Sequence, residues 1–166
     1  NKDGSARYLM ATSLIGGYAK ELGYESAEEL KAQITKSYLG TELNGLKYER
    51  IFDFYANPEL FDVKNAWQVL VADYVADTDG TGIVHQAPAY GEDDQNVCQA
   101  AGIPTYVSIN ERGQFNSVVA PYQGQHVFDA NKPITQDLKS MGRLLRQASY
   151  EHSYPHCYRC KNPLIY

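Results

Sequence analysis

The chain has 166 residues, 43% hydrophobic and 21% charged, with a formal net charge of −5. That length and balance predict one core-forming domain, with room for a small appendage. No run approaches the about 20 apolar residues that span a membrane, the opening residues do not read as a charged-then-apolar secretion leader, and the negative charge argues against a domain that grips nucleic acid chiefly by its phosphates.

In chain order, Asn1 to Ser5 reads as a loop and Tyr8-Leu9-Met10 as a strand within Ala6 to Ala11. Thr12 to Leu22 has helical spacing, weakened by Gly16 and Gly17. Ser26-Ala27-Glu28-Glu29 is a capping box that opens a short helix through about Ala32. Ile34 to Leu39 and Leu46 to Phe54 read as strands around a Gly40 to Gly45 loop, and Asn57-Pro58 and Asn65 mark turns. Trp67 to Val75 alternates and is rich in β-formers.

The stretch from Asp77 to Ala101 carries the chemistry. Asp77-Thr78-Asp79-Gly80 is turn chemistry, with Gly able to take positive φ. Thr81 to Gln86 then alternates as a strand, with Thr81, Ile83 and His85 on one face. Pro88 ends it. Gly91 to Ala101 reads as a short helix with Glu92, Asp93 and Asp94 in its first turn, where the helix dipole favours an ionised carboxylate. His85 ends one element and Asp94 begins the next, so the two can face one cleft that holds a cationic group. A calcium loop is excluded, because Pro88 stands where the bidentate Glu is needed. A dinucleotide loop is excluded because His85 takes the place of the third glycine. The plainer alternative is a turn followed by an ordinary capped helix.

Thr105 to Ile109 and Gln114 to Val119 flank Asn110-Glu111-Arg112-Gly113 as a hairpin. Lys132 to Ala148 is the strongest helix, capped by Asn131 with Pro133 in its first turn. Ile134, Leu138, Met141, Leu145 and Ala148 form its apolar stripe. Lys132, Lys139, Arg143 and Arg146 lie nearly opposite, as a solvated face or an RNA contact. No internal repeat or low-complexity segment occurs. The expected class is α+β, a β-barrel-like sheet of short strands with peripheral helices. Neither chain end reads as a natural terminus, so the expectation is a piece of something longer.

Three cysteines make an odd count, which argues against a disulfide framework and for a reducing, cytoplasmic setting. Cys98 sits on the expected helix as a small buried apolar residue. Cys157-Tyr158-Arg159-Cys160 has the spacing that lets two thiolates reach one zinc ion. Only two ligands are obvious, with His152 and His156 nearby, so the motif reads as half of a zinc ribbon whose partner pair lies outside the chain. A redox pair and two idle thiols are the alternatives.

The sequence resembles the editing (connective-peptide) domain of class I isoleucyl-tRNA synthetases. The likeness rests on Tyr38-Leu39-Gly40-Thr41-Glu42-Leu43 with Gly45, Leu46 and Tyr48, and on Gly80-Thr81-Gly82-Ile83-Val84-His85-Gln86-Ala87-Pro88-Ala89-Tyr90-Gly91-Glu92-Asp93-Asp94. It rests also on His152-Ser153-Tyr154-Pro155-His156-Cys157-Tyr158-Arg159-Cys160. The resemblance implies an editing domain over residues 1–150, lacking the family's upstream Thr-Thr-Thr-Pro-Trp strand, which Thr12-Ser13 does not match. It implies a half zinc-ribbon segment over 151–166 that returns to the catalytic core. The implied reaction is hydrolysis of valyl-tRNA(Ile), and of valyl-adenylate. Asp94 would hold the α-amino group, His85 would line the side-chain pocket, and Thr81 and Gly82 would complete the substrate contacts. Implied partners are the 3′ end of tRNA(Ile), valine and isoleucine adenylates or esters, and the rest of the synthetase chain. ATP and magnesium belong to that rest. The rival reading is a non-catalytic module that docks tRNA or protein through a zinc knuckle.

Overall fold

A computed structural model of the chain describes residues 1–149, 151 and 153–165. The chain divides into two interleaved units, residues 1–48 with 68–85, and residues 49–67 with 86–166.

In the first unit, α1 (Ala27–Lys31) starts at the expected Ser26 cap, with the return bond of the capping box shifted one residue upstream. Ser26 Oγ accepts the Glu29 N–H at 3.1 Å, and the Glu29 carboxylate reaches back to the Glu25 N–H at 2.8 Å. The helix expected from Thr12 to Leu22 shortens to a 3-10 turn over Ile15–Tyr18. Gly16 and Gly17 inside it lower helix propensity by about 1 kcal/mol each relative to Ala. Gly16 also serves packing, because a Cβ there would stand 3.0 Å from Ala27 Cβ of α1. Tyr18, Leu22 and Leu30 are the buried side chains of this unit. The expected strands around residues 46 and 68 meet only briefly. Gly45 donates to Val69 O at 2.8 Å and Val69 to Leu46 O at 2.9 Å, around an antiparallel bridge between Lys47 and Gln68.

The second unit holds α2 (Glu92–Ala100) and α3 (Val127–Ser140). The expected hairpin forms at its turn. Asn110 N donates to Gln114 O at 2.9 Å, Asn116 N to Ser108 O at 2.9 Å, and Gly113 takes φ 69. Its second arm stops at Asn116, whose side chain accepts the Val118 N–H at 3.0 Å and opens a 3-10 turn over Ser117–Tyr122. The chain then returns alongside, with Phe115 N donating to Gln125 O at 3.0 Å and Gln114 bridged to His126. Aromatic rings fill this unit. Tyr55, Phe61 and Tyr106 pair with centroids 4.9 to 5.8 Å apart. Phe54 and Phe115 flank the buried Tyr122.

The last helix corrects the expected register. It runs Val127–Ser140 rather than 132–148, capped by His126 rather than Asn131, with Pro133 in its interior. Gly142 at φ 66 stops it. Gly142 N donates to Lys139 O and Arg143 N to Leu138 O, the paired bonds of a Schellman end. Leu145, Arg146 and Ala148 therefore lie beyond the helix.

Among the described residues, sheet-type pairing consists of the isolated antiparallel bridges Lys47–Gln68, Ile109–Phe115, Gln114–His126 and His156–Pro163. No helix among them is long and apolar enough to cross a membrane.

Candidate functional site

Three of the four expected substrate residues, Thr81, Gly82 and His85, belong to the first unit. Gly80 and Gly82 both take left-handed backbone, at φ 61 and 72. The turn is held from several sides. Asp79 Oδ1 accepts the Gly80 N–H at 2.7 Å, the Tyr18 hydroxyl donates to Gly80 O at 2.9 Å, and the Ala11 N–H donates to Thr81 O at 2.7 Å. Ser13 Oγ ties in the upstream end, 2.9 Å from Asp77 O. At Gly82 a Cβ would fall 2.4 Å from Ala11 Cβ, so only glycine fits. This changes one expectation. A strand with alternating faces does not run through residues 81–86, because left-handed Gly82 interrupts it. The Thr81 hydroxyl turns onto its own loop and donates to Ile83 O at 3.0 Å. Ile83, Val84 and His85 are exposed.

Asp94 belongs to the second unit, in the first turn of α2. Counting Gly91 as the N-cap, it is the third helical residue. Its Oδ2 accepts the Ala87 N–H at 2.9 Å, so the carboxylate holds the loop that precedes the helix. That loop is a turn closed by Tyr90 N donating to Ala87 O at 2.9 Å, with Pro88 and Ala89 at its corner. The Tyr90 hydroxyl accepts the Ser108 N–H at 3.0 Å and lies 2.7 Å from Ser108 Oγ, which fixes the turn to the hairpin. Glu92 and Asp93 are exposed, whereas Asp94 is half-buried. Four residues on and on the same helix face, Cys98 is buried. Burial, and then the charge of Asp94, push its thiol pKa up. Cys98 is thus the inert apolar residue expected of it.

Sequence reasoning had the acidic first turn and missed what orders it. The Ala87 N–H carries no sequence signature, since every residue but proline has one. The one available hint was a glycine at a helix N-cap, where Ser, Thr, Asp or Asn is preferred.

The C-terminal cysteines form a tight turn. Lys161 N donates to Cys157 O at 2.8 Å and Cys157 N to Asn162 O at 2.9 Å, with Lys161 left-handed at φ 62. Backbone N–H groups of Cys160 and Arg159, and then the Cys160 thiol, pull the Cys157 thiol pKa down. Amide donors aimed at sulfur suit a thiolate ligand, so the turn fits half of a zinc site. Among the described residues no group of three or more His, Cys, Asp or Glu gathers as a complete metal site. His152 lies outside the described residues. His156 Nδ1 sits 2.7 Å from Tyr154 O. The basic stripe is divided, with Lys132 and Lys139 on α3 and Arg143 past its end, bonded to Glu49 at 3.1 Å.

No protein-family model matches the chain. Curated relatives do. It is 56% identical over 162 residues to an isoleucine–tRNA ligase of Leifsonia xyli subsp. xyli, covering 98% of this chain and 14% of the relative. An isoleucine–tRNA ligase of Tropheryma whipplei is 48% identical over 165 residues, with 99% and 15% covered. One of Corynebacterium efficiens is 52% identical over 158 residues, with 95% and 14% covered. The chain thus spans 14–15% of the length of the curated relatives it matches. Matched over nearly its whole length at such identity, the chain belongs to the isoleucine–tRNA ligase family.

Proposed function

We propose that this region is the editing domain of its ligase, a hydrolase that removes valine misattached to isoleucine tRNA and clears valyl-adenylate. A synthetic site built for isoleucine gains only about 1–3 kcal/mol against valine, because one methylene is all that differs. A second sieve supplies the remaining discrimination. Asp94 pairs with the α-ammonium of the misattached amino acid. His85 lines the pocket that admits valine and rejects isoleucine. Thr81 and Gly82 lie along the substrate. The observation that carries this reading is the half-buried Asp94 carboxylate, anchored by the Ala87 N–H at the N-terminus of α2. A fixed carboxylate recognises a cation without the entropy cost of ordering a mobile one.

Hydrolysis then needs a water placed beside the ester carbonyl, and positioning supplies most of the acceleration. The partners are the 3′ end of the tRNA and the remainder of the ligase chain, where ATP, magnesium and isoleucine activation reside. The domain itself is an α+β, barrel-like sheet with peripheral helices, and Cys157 with Cys160 supplies half of a zinc site. Bound zinc would staple the returning chain, with no part in the hydrolysis.

The test uses the complete ligase. Asp94→Ala should lower deacylation of valyl-tRNA(Ile) by about ten- to a hundredfold, the worth of one charged hydrogen bond. Mischarged product should accumulate while isoleucine activation is unchanged. Normal clearance of valine by this variant would remove Asp94 from the reaction.

A further inference from the structure

Gly91 faces a constraint that has nothing to do with its backbone. It sits at φ −150 and ψ 126, extended backbone that any residue adopts. What it lacks is room on one side. A Cβ built there would stand 2.9 Å from Asp94 Oδ2, 3.2 Å from its Cγ and 3.4 Å from its Cβ. In a capping box, the residue three past the cap bonds the N–H of the cap itself. Here the carboxylate of Asp94 reaches past the cap to the N–H of Ala87, at 2.9 Å. Its path crosses the α-carbon of Gly91, and any side chain at the cap would block it.

The geometry points to Gly91 as a positioning residue for the ammonium-binding carboxylate, with the Ala87 N–H as the anchor. This rests on the reading of Asp94 given above. The atom in conflict is the far end of a flexible side chain, so a methyl group at position 91 moves the carboxylate at little cost to the fold. The backbone pays nothing, because its conformation is ordinary. The local cost, loss of the bond to Ala87 and of the cap preference for glycine over alanine, is read from the Ala87 amide, and the effect on position from the two esters.

The experiment uses the complete ligase and two tRNA esters, one of valine and one of isovaleric acid, which is valine without its amino group. Hydrogen exchange of the peptide containing Ala87 is measured alongside. Gly91→Ala should hydrolyse the valyl ester at least about tenfold more slowly, up to but not beyond the loss of Asp94→Ala, because a group displaced by about 1 Å loses much of its effect. Its rate on the isovaleryl ester should be unchanged, and the Ala87 amide should exchange faster. Gly91→Ala combined with Asp94→Ala should lose no more than Asp94→Ala alone, since both act through one carboxylate. Equal loss on both esters makes Gly91 merely structural and overturns the inference, as does a retained valyl rate with an unchanged Ala87 amide. If Asp94→Ala itself still prefers the amino ester, the ammonium reading fails, while the Ala87 exchange separately reports whether Gly91 sets the carboxylate.

Discussion

Gly80 and Gly82 share a left-handed backbone, at φ 61 and 72, for different physical reasons. Nothing lies within 4 Å of a Cβ at Gly80, so its requirement is conformational alone. Gly80→Ala should cost about 1–2 kcal/mol, the left-handed penalty for an L-residue. At Gly82 the same penalty adds to a Cβ only 2.4 Å from Ala11 Cβ. Overpacking of that kind costs about 1–3 kcal/mol more, so Gly82→Ala should lose about 2–5 kcal/mol in denaturant unfolding. Equal losses at the two positions would show that Ala11 moves away freely. The sequence made both glycines readable as turn residues, since Asp-rich flanks and glycine announce positive φ. It could not show that Gly82 abuts Ala11, because 71 positions separate them and no local pattern encodes a contact at that range. Asp94 was readable for the opposite reason. Its place in the first turn of a helix depends on near neighbours, whereas its bond to the Ala87 N–H, seven residues back, was not readable.

At the scale of elements, glycine closes both longer helices, although the apolar stripe carried the expected last helix past Gly142. Gly102 and Gly142, at φ 70 and 66, close α2 and α3 with the same pair of bonds. The start of α3 was misplaced because Asn131-Lys132-Pro133 imitates a cap followed by a first-turn proline, while His126 is an unusual cap. Packing settles the register instead, with Ala130 fully buried within α3. A second tie joins that helix to the 3-10 turn before it. The Tyr122 hydroxyl, buried, donates a short hydrogen bond to the Asp137 carboxylate. Burial, and then that bond, push the Tyr122 pKa from an ordinary 10.0 to about 12. The folded chain thus holds this proton more tightly than the unfolded chain. Its contribution is complete below about pH 10 and disappears as the pH rises toward about 12. Tyr122→Phe should cost about 1.5–3 kcal/mol near neutrality, as for a hydrogen bond to a charged group. It should also flatten the alkaline fall in stability by one proton, read from denaturant midpoints taken across the alkaline range. An unchanged alkaline slope would mean that Tyr122 titrates alike in both states.

Over the whole molecule, short-range features were legible and long-range ones were not. Caps, turns and the hairpin corner depend on residues a few positions apart. The pairing of Lys47 with Gln68 and of Ala11 with Thr81 depends on closure of long loops, which composition and periodicity leave open. The barrel-like class inferred from the abundance of strand-like segments stays part of the proposal for that reason. So does zinc. If Cys157 and Cys160 supply half of a site, Cys157→Ser with Cys160→Ser in the complete ligase should remove one zinc per chain, measured by atomic emission. Unchanged metal content would leave the two thiols without a ligand role.

Interleaving has a consequence for synthesis on the ribosome. The first unit needs residues 68–85, yet residues 49–67 of the second emerge before them. A nascent chain that has released its first 48 residues therefore cannot complete that unit, however slowly translation proceeds. It must hold Ala11 unpaired until Thr81 leaves the exit tunnel. The first unit can close only once residue 85 is free, with residues 49–67 of the second already outside and waiting for residues 86–166.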